Sequence, residues 1–482
     1  MNFTTSFFLF FCFPISVVGD FIIKTVCSKR ECVGNRIRNI FLILFSMFFY
    51  GWTRPVGILC FIIYMVLVYG FGCWIQKSEN TAKVRKISMA VSIVVVVAIL
   101  LYYKYYNFVV QTFGGQHDSS IKAQTIIAPL GISFVTFSAI SYLVDIYRKD
   151  AETGSLSELM LYLSFFPKVI SGPIVLWKDF APQIQNRKVS DSSYLEGLNR
   201  MMIGFAKKVI LADTFGALVL EIQQQIGTLG ISTLTSWGCA LLYMLEIYYD
   251  FAGYSDIAIG IAKLFGFEFK ENFHFPYISQ SITEFWRRWH ISLGTWFREY
   301  IYIPLGGNRK GKIRTLLNLG IVFLITGIWH GAGWNYIYWG ILNGVCVIIE
   351  RCIRDTSFYK KIPAVIKWAI TMMIVLFGWQ LFYYGALEDF NYFVDIMFRK
   401  EIFEEMNYTA VYYFSKKILA YMAVAMLGAV LPAWSKLDKI KEKLNSTKSG
   451  LVIQEIVLLG LMIVAVISMV NSTYSPFIYF QY

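Results

Sequence analysis

Apolar runs long enough to cross a bilayer recur from one end of the chain to the other. A helix needs about 20 apolar residues to span the hydrocarbon core, and residues 56–75, 365–384 and 451–470 are runs of this kind. Only 16% of the 482 residues are charged, whereas a soluble domain has about 25%. Helices satisfy their backbone polar groups within one segment, as lipid requires. The sequence therefore predicts an all-α integral membrane protein and excludes a soluble one.

Twelve candidate spans follow from these runs, and residues 1–482 are expected to form a single multi-pass membrane domain. The spans lie near 7–23, 40–50, 56–75, 87–103, 126–147, 201–222, 234–265, 316–329, 336–349, 365–384, 411–431 and 451–470. The first run has no basic region before it and no small-residue cleavage site, so we expect it to be retained.

Two further apolar stretches do not have the composition of simple spans. Residues 164–177 contain two prolines, a glycine and a lysine, and residues 285–307 contain four charges within "FWRRWHISLGTWFREYIYIPLGG". Irregular backbone at membrane depth is tolerated only where protein or a water-filled cavity surrounds it. We therefore expect both stretches to be broken or re-entrant and to line a cavity.

The basic residues predict an orientation. The net charge is +13, and the loops 24–39, 77–86 and 306–314 are basic, whereas 388–405 is acidic. Because basic loops stay on the cytoplasmic side, the N- and C-termini are both expected to be external. The charge thus indicates membrane topology, and no nucleic-acid partner is predicted.

The chain has four histidines, and two of them lie in surroundings that need no functional explanation. His117 is in the polar segment "GGQHDSS", where we expect it to be solvated. His274 precedes a proline turn in "ENFHFP", where a structural role is expected.

His290 lies within "FWRRWHISLGTWFREY". If this segment is one helix, His290 shares an apolar face with Trp286, Trp289 and Leu293. Two interpretations remain open at this point: a core histidine bonded to a backbone carbonyl, or a functional residue.

His330 lies within "TGIWHGAGWNYIYWG". An ionisable group inside a membrane span is costly and is a functional hypothesis by default. Gly327, Gly331 and Gly333 leave room for a substrate or for a closely packed helix, and Trp334 is expected to share the face of His330 at i+4.

The motifs around these histidines restrict the chemistry. The chain has no H-E-x-x-H, no C-x-x-C and no G-x-S-x-G motif, so no metal site, disulfide framework or serine nucleophile is predicted. A lone histidine best suits general-base work, in which it takes the proton of a hydroxyl that attacks an activated acyl group such as a thioester.

The two histidine segments resemble the histidine motifs of the membrane-bound O-acyltransferases (MBOAT), in particular the bacterial alginate O-acetylase type. Residues 131–148 and 248–277 are similar to further blocks of that subgroup. One departure is Lys168 in "FPKVISGP", where the subgroup usually has glutamine. The resemblance covers almost the whole chain and is carried by long motifs.

The resemblance implies a fold of about 10–12 transmembrane helices, with re-entrant or interfacial helices, around a central tunnel in a bacterial plasma membrane. It implies that His330 is the catalytic base and that His290 assists it. The residues expected to line the tunnel are Trp286, Trp289, Trp329, Trp334 and Asn335.

The implied reaction moves an acetyl group from cytoplasmic acetyl-CoA, with no bound cofactor, toward an exported polysaccharide. A secreted or membrane-anchored SGNH-type O-acetyltransferase is the implied partner. Arg309, Lys310 and Lys312 are candidates for the mouth of the donor site, since an anionic donor favours positive potential; topology alone would also explain these charges.

Two alternatives remain. Teichoic acid D-alanyl transfer by the same family would take the acyl group from the phosphopantetheine of a carrier protein. A lipid-linked sugar flippase or transporter would predict charges within many spans and repeat symmetry, and neither is evident in the sequence.

The chain closes on "SPFIYFQY", an aromatic tag. By composition it is an anchor at the membrane interface, where aromatic rings are favoured. The resemblance implies a second role, because a partner in the related D-alanylation system ends in a similar tag. Tyr479 is accordingly a candidate acyl relay.

Overall fold

The computed structural model of the protein describes residues 1–29, 31–52, 55–78, 81–113, 126–187, 189–226, 230–399, 410–431 and 446–471. Every regular element in these ranges is a helix. The chain divides into two compact units, the first formed by Met1–Met201 with Ser255–Glu271 and the second by Met202–Tyr254 with Asn272–Tyr482. The all-α prediction is confirmed, and the prediction of one domain over 1–482 stays a prediction.

The helices whose residues lie wholly or mostly in the first unit begin near the N-terminus and include one π-helical segment. They are Phe8–Cys12 (π), Phe13–Val26, Glu31–Gly51, Val56–Lys77, Ala82–Phe113, Ile132–Arg148, Leu156–Ser164, Trp177–Asn186 and Asp191–Phe205. A buried ion pair joins the second and third of these, with Arg38 Nη2 2.6 Å from Asp20 Oδ2.

Residues 165–176 form the first of the two predicted broken segments. They have no regular helix, and all of them are buried inside the first unit. Lys168 lies among them, with Nζ 3.1 Å from Ser138 Oγ and 4.0 Å from the centroid of the Tyr162 ring. Burial lowers the pKa of Lys168 to about 7, because desolvation disfavours the charged amine. The prediction of irregular backbone enclosed by protein is confirmed here.

The second unit contains the longer list of helices, several of them short. They are Ala206–Ala212 (π), Asp213–Ile226, Thr233–Leu264, Pro276–Ile278 (3₁₀), Ile282–Arg288, Ile291–Phe297, Arg298–Tyr302 (π), Lys312–His330, Trp334–Ile353, Ser357–Lys361, Ala364–Tyr383, Leu387–Phe398, Ala410–Tyr413, Lys416–Val430 and Lys448–Asn471. The last turns of Thr233–Leu264 belong to the first unit.

Glycines bring two of these helices, Lys312–His330 and Trp334–Ile353, into close contact. A Cβ atom at Gly327 would lie 2.4 Å from the carbonyl oxygen of Tyr336 and 3.1 Å from the Cα of Gly340. A Cβ atom at Gly331 would lie 2.0 Å from the Tyr336 ring. Of the two uses predicted for these glycines, the structure therefore shows the close approach of a neighbouring helix at Gly327 and Gly331.

Seven helices in the described ranges are long and apolar enough to cross a membrane. They correspond to seven of the twelve predicted spans and are Phe8–Val26, Gly57–Lys77, Ala82–Val110, Lys312–His330, Trp334–Ile353, Ala364–Tyr383 and Lys448–Asn471. Two of the other five predicted spans differ from these seven helices in length or in charge. Ile132–Arg148 is only 17 residues long, and Thr233–Leu264 carries the buried acids Glu246, Asp250 and Asp256.

Candidate active site

The segment that carries His290 is broken at the histidine itself. The helix Ile282–Arg288 ends before Trp289, and the next helix, Ile291–Phe297, begins after His290. His290 has φ 48° and ψ 54°, a left-handed conformation that is uncommon for residues other than glycine. The break predicted within residues 285–307 is therefore confirmed. The apolar face that a single helix through "FWRRWHISLGTWFREY" would have formed does not exist.

Segment 272–274 holds this break in place. The Ile291 N–H donates to the carbonyl oxygen of Asn272 at 2.9 Å, and the His274 N–H donates to the carbonyl oxygen of Arg288 at 2.9 Å. The Arg288 guanidinium returns a hydrogen bond to the carbonyl oxygen of His274 at 3.1 Å. The structural role predicted for His274 is thus confirmed, since its main chain anchors the broken helix.

The side chain of Asn272 contacts the His290 ring directly. Asn272 Oδ1 lies 3.1 Å from His290 Nδ1, and it also accepts hydrogen bonds from the Ser292 N–H at 3.2 Å and the Ser292 hydroxyl at 2.9 Å. All three residues are buried. Asn272, which precedes the His290 motif in the sequence, therefore belongs to the site, although no sequence pattern indicated this.

His290 Nε2 is buried, and no described residue forms a hydrogen bond with it. Phe251 packs against the ring edge to face, with centroids 4.6 Å apart. Burial lowers the pKa of His290 to about 3, because the imidazolium would lose its hydration. The ring is therefore neutral at physiological pH and offers one unused nitrogen.

A buried ionic cluster lies beside Phe251. Lys208 Nζ is 2.6 Å from Asp250 Oδ1 and 2.6 Å from Asp213 Oδ1, and the side chains of all three are at most 6% exposed. Buried charges need such partners because an uncompensated charge is very costly. Lys208 and Asp213 are ionisable residues within the apolar segment 201–222, and this sequence signal would have pointed to the cluster.

Aromatic rings surround His330, the last residue of its helix. Trp329, Trp339 and Phe382 have ring centroids 4.8, 4.9 and 5.2 Å from that of His330, and each meets it at a steep angle. His330 is 6% exposed. The prediction of a buried histidine among aromatic residues is confirmed.

Closely packed tryptophans connect the two histidine segments. Trp286 lies 5.4 Å from Trp339, Trp289 lies 4.8 Å from Trp379, and Trp339 lies 6.2 Å from Trp379, measured between ring centroids. Trp339 in turn contacts His330. Trp286 and Trp289, predicted from the sequence, therefore join this cluster. Trp379 was missed because it is distant from either motif along the chain, and Trp339 was not singled out although it lies within the His330 motif.

Trp334 and Asn335, which follow His330 in the chain, lie in different environments. The helix ends at His330 and a new one starts at Trp334, so the i+4 relationship predicted for Trp334 does not apply, and Trp334 is 47% exposed. Asn335 is buried, and its Nδ2 donates to the carbonyl oxygen of Phe382 at 3.3 Å. Asn335 therefore supports the aromatic wall of His330, and the face prediction for Trp334 is wrong.

The basic segment 306–314 consists of a glycine-containing turn and the first residues of the helix Lys312–His330, and residues 308–314 are exposed. Gly306, Gly307 and Gly311 have positive φ values of 106°, 55° and 88°, which glycine adopts at little steric cost. Asn318 Nδ2 donates to the carbonyl oxygen of Gly307 at 2.9 Å. The segment presents four exposed basic side chains, namely Arg309, Lys310, Lys312 and Arg314.

Tyr479, the candidate acyl relay in the aromatic tag, lies outside the described residues.

Comparison with known proteins identifies the class. Residues 40–386 match the MBOAT, membrane-bound O-acyltransferase family. The chain is 38% identical to "Probable alginate O-acetylase AlgI" of Pseudomonas aeruginosa, over 79% of this chain and 72% of that protein. It is 32% identical to "Peptidoglycan O-acetyltransferase" of Helicobacter pylori, over 80% and 77%. It is 33% identical to "Teichoic acid D-alanyltransferase" of Streptococcus thermophilus, over 47% and 58%.

The chain therefore belongs to the membrane-bound O-acyltransferase family. It is a multi-pass membrane acyltransferase, as the resemblance of its histidine motifs predicts.

Proposed function

We propose that the protein transfers acetyl groups from cytoplasmic acetyl-CoA to the external side of the membrane, for O-acetylation of an exported or cell-surface polysaccharide. The extended similarity to an alginate O-acetylase and a peptidoglycan O-acetyltransferase supports this substrate class. The D-alanyltransferase aligns with a smaller share of this chain, 47%, so we keep carrier-linked D-alanyl transfer as the second candidate. The N- and C-termini are proposed to be external, as the basic loops predict.

His330 is the proposed general base. The observation that supports this most is its enclosure by the rings of Trp329, Trp339 and Phe382. Such an enclosure would exclude water from the reacting groups. His330 takes the proton of the acceptor hydroxyl while the oxygen forms a bond to the acyl carbon. The carbon–sulfur bond of the thioester then breaks, and the thiolate receives that proton. Proton transfer of this kind contributes about 10²- to 10⁴-fold to a rate.

His290 has a different proposed role. A base with a pKa near 3 is poorly matched to a reaction near pH 7. As a neutral ring with an unused Nε2, however, it is suited to accept a hydrogen bond and to orient the acceptor hydroxyl toward His330. That both histidines line one tunnel stays a prediction.

Purified protein in vesicles tests this function. Acetyl-CoA labelled in the acetyl group is placed on one side and a soluble sugar acceptor on the other, and acetyl ester formation is measured. We expect His330→Ala to lower the rate by about 10²- to 10⁴-fold. His274→Ala is the matched control, because the His274 side chain is exposed and the main-chain contacts persist. Equal rates in both variants would contradict the assignment, and transfer only from an acylated carrier protein would favour D-alanyl transfer.

A further inference from the structure

Asn272 is fully buried, and the orientation of its side-chain amide is fixed by the main chain. The Ser292 N–H can only donate, and it points at the Asn272 side chain from 3.2 Å. The atom that faces it is therefore the amide oxygen, since an NH₂ group has no acceptor capacity. The same oxygen accepts the Ser292 hydroxyl at 2.9 Å.

This orientation determines the protonation of the neighbouring ring. His290 Nδ1 is 3.1 Å from the same oxygen, so the neutral ring must carry its hydrogen on Nδ1 to form that bond. Nε2 then has a lone pair. It is this nitrogen that is buried without a hydrogen-bond partner among the described residues.

We infer that Asn272 is a positioning residue that holds His290 in the Nδ1–H tautomer, so that Nε2 is kept as an acceptor for the substrate hydroxyl. The inference rests on the proposed function, in which His290 orients the acceptor. A histidine that works through one nitrogen usually has its other nitrogen fixed by such a bond. The alternative tautomer would place an N–H where the hydroxyl must donate, and the two donors would face each other.

The left-handed backbone at His290 supports the same reading. Backbone strain persists only where the surrounding structure enforces it, and it occurs often at functional sites. Here the main chain of Asn272 accepts from Ile291 while its side chain accepts from Ser292 and His290. One asparagine thus fixes both the backbone break and the ring.

The tautomer can be read without any assay of activity. Protein labelled with ¹⁵N at histidine has only four such residues, and His290→Gln identifies the His290 signals in solid-state NMR spectra of lipid-reconstituted protein. We expect a neutral Nδ1–H ring in the wild type, and also in Asn272→Asp at a pH above the raised pKa of its His290, because aspartate keeps an acceptor oxygen. We expect loss of that tautomer in Asn272→Ala. Ser292→Ala is the matched control, because at His290 Nδ1 it removes only the longer contact with Ser292 Oγ, at 3.4 Å, and leaves the bond from His290 Nδ1 to Asn272.

An Nε2–H ring in the wild type would overturn the inference, and so would a wild-type His290 spectrum in Asn272→Ala. If Asn272→Ala does not fold, the wild-type and Asn272→Asp spectra still decide the question. In the transfer assay, Asn272→Ala should lower kcat by about 10- to 100-fold, the usual cost of losing an orienting partner, with the KM for the acyl donor unchanged. A wild type that transfers no acetyl group would refute the proposed function and leave the NMR result to stand alone.

Discussion

Trp339 lies edge-on against His330, with ring centroids 4.9 Å apart and an angle of 86° between the ring planes. The same indole packs 5.4 Å from Trp286 and 6.2 Å from Trp379. A single side chain thus positions the proposed base against the aromatic cluster that includes the other histidine segment.

Truncation of this indole should therefore be costly. Trp339 is only 1% exposed, so Trp339→Ala should destabilise the protein by about 3–5 kcal/mol and lower the transfer rate of the fraction that stays folded. Trp334→Ala, in the same helix but at a position 47% exposed, is the control and should change stability little. Thermal unfolding in detergent and the acetyl transfer assay measure both effects. Equal losses of stability and transfer rate in Trp339→Ala and Trp334→Ala would contradict the prediction, because the cost would then not depend on burial of the indole.

The close helix pair ending at His330 should not tolerate a methyl group at Gly327. The added Cβ would lie 2.4 Å from the Tyr336 carbonyl oxygen, and this backbone must move to relieve the contact. Overpacking of this kind costs about 1–3 kcal/mol, and we expect a lower transfer rate because His330 is less than one turn away. Gly320→Ala in the same helix is the control, since its nearest contact would be an ordinary 3.6 Å. A stable and fully active Gly327→Ala protein would refute the prediction.

The pH dependence of the transfer reaction should change when Asn272 is replaced by aspartate. With the pKa of His290 near 3, the wild-type rate should show no loss from this group between about pH 5 and 8. A carboxylate beside Nδ1 stabilises the charged ring and raises the pKa. Protonated His290 cannot accept a hydrogen bond, so the rate of Asn272→Asp should fall as pH decreases through the raised pKa and recover above it.

Asp250 and Arg288 should not produce this change in the pH profile, because each is already paired with an opposite charge. Asp250, next to Phe251, is already paired with Lys208, and Arg288 on the preceding helix is paired with Glu284. The profile of kcat/KM against pH is the measurement. Superimposable profiles for the wild type and Asn272→Asp would show that His290 does not act as an acceptor.

Charge reversal in the basic loop tests the proposed donor side. Arg309→Glu with Lys310→Glu should raise the KM for acetyl-CoA, and more strongly at low salt, because screening weakens exposed charges. The control pair is Lys360→Glu with Lys361→Glu, also exposed and at the end of the short helix Ser357–Lys361. If both pairs raise the KM equally, the effect comes from the overall charge of the protein and not from a donor site at Arg309 and Lys310. A wild-type KM at low salt would mean that Arg309 and Lys310 serve topology alone.

The aromatic tag gives a test in cells. Tyr479→Phe keeps an aromatic anchor and removes only the hydroxyl, so acetylation of the exported polysaccharide should be lost if Tyr479 carries the acyl group to a partner. A phenol is a suitable nucleophile once a base takes its proton. Tyr474→Phe and Tyr482→Phe are controls that should acetylate normally. Normal acetylation in Tyr479→Phe would leave the tag as an anchor.

Much of this protein could be predicted from its sequence because the bilayer restricts the possible folds. Long apolar runs predict helices, and all seven spans found by length and composition fall on predicted ones. His330 could also be singled out from the sequence, since an ionisable group in such a run is rare, and its role as the base stays a prediction.

A break within residues 285–307 was predicted from their composition, but its position at His290 could not be predicted in the same way. Residues 285–300 have a helical apolar period, and the left-handed turn depends on hydrogen bonds that Asn272, 18 residues earlier, accepts. Trp379 was missed for a similar reason, because tertiary packing rather than local pattern brings it to the site. Side-chain partners that are distant along the chain leave no periodic signal.

The backbone at His290 also restricts how this enzyme can be redesigned. With φ at 48°, the position admits glycine, asparagine, aspartate and histidine far more readily than branched or bulky residues. A saturation library there would mostly report backbone incompatibility rather than changes in selectivity. Variation intended to alter the acceptor is better directed to neighbours in regular helices, with His290→Asn as the one exchange that tests the imidazole while respecting the turn.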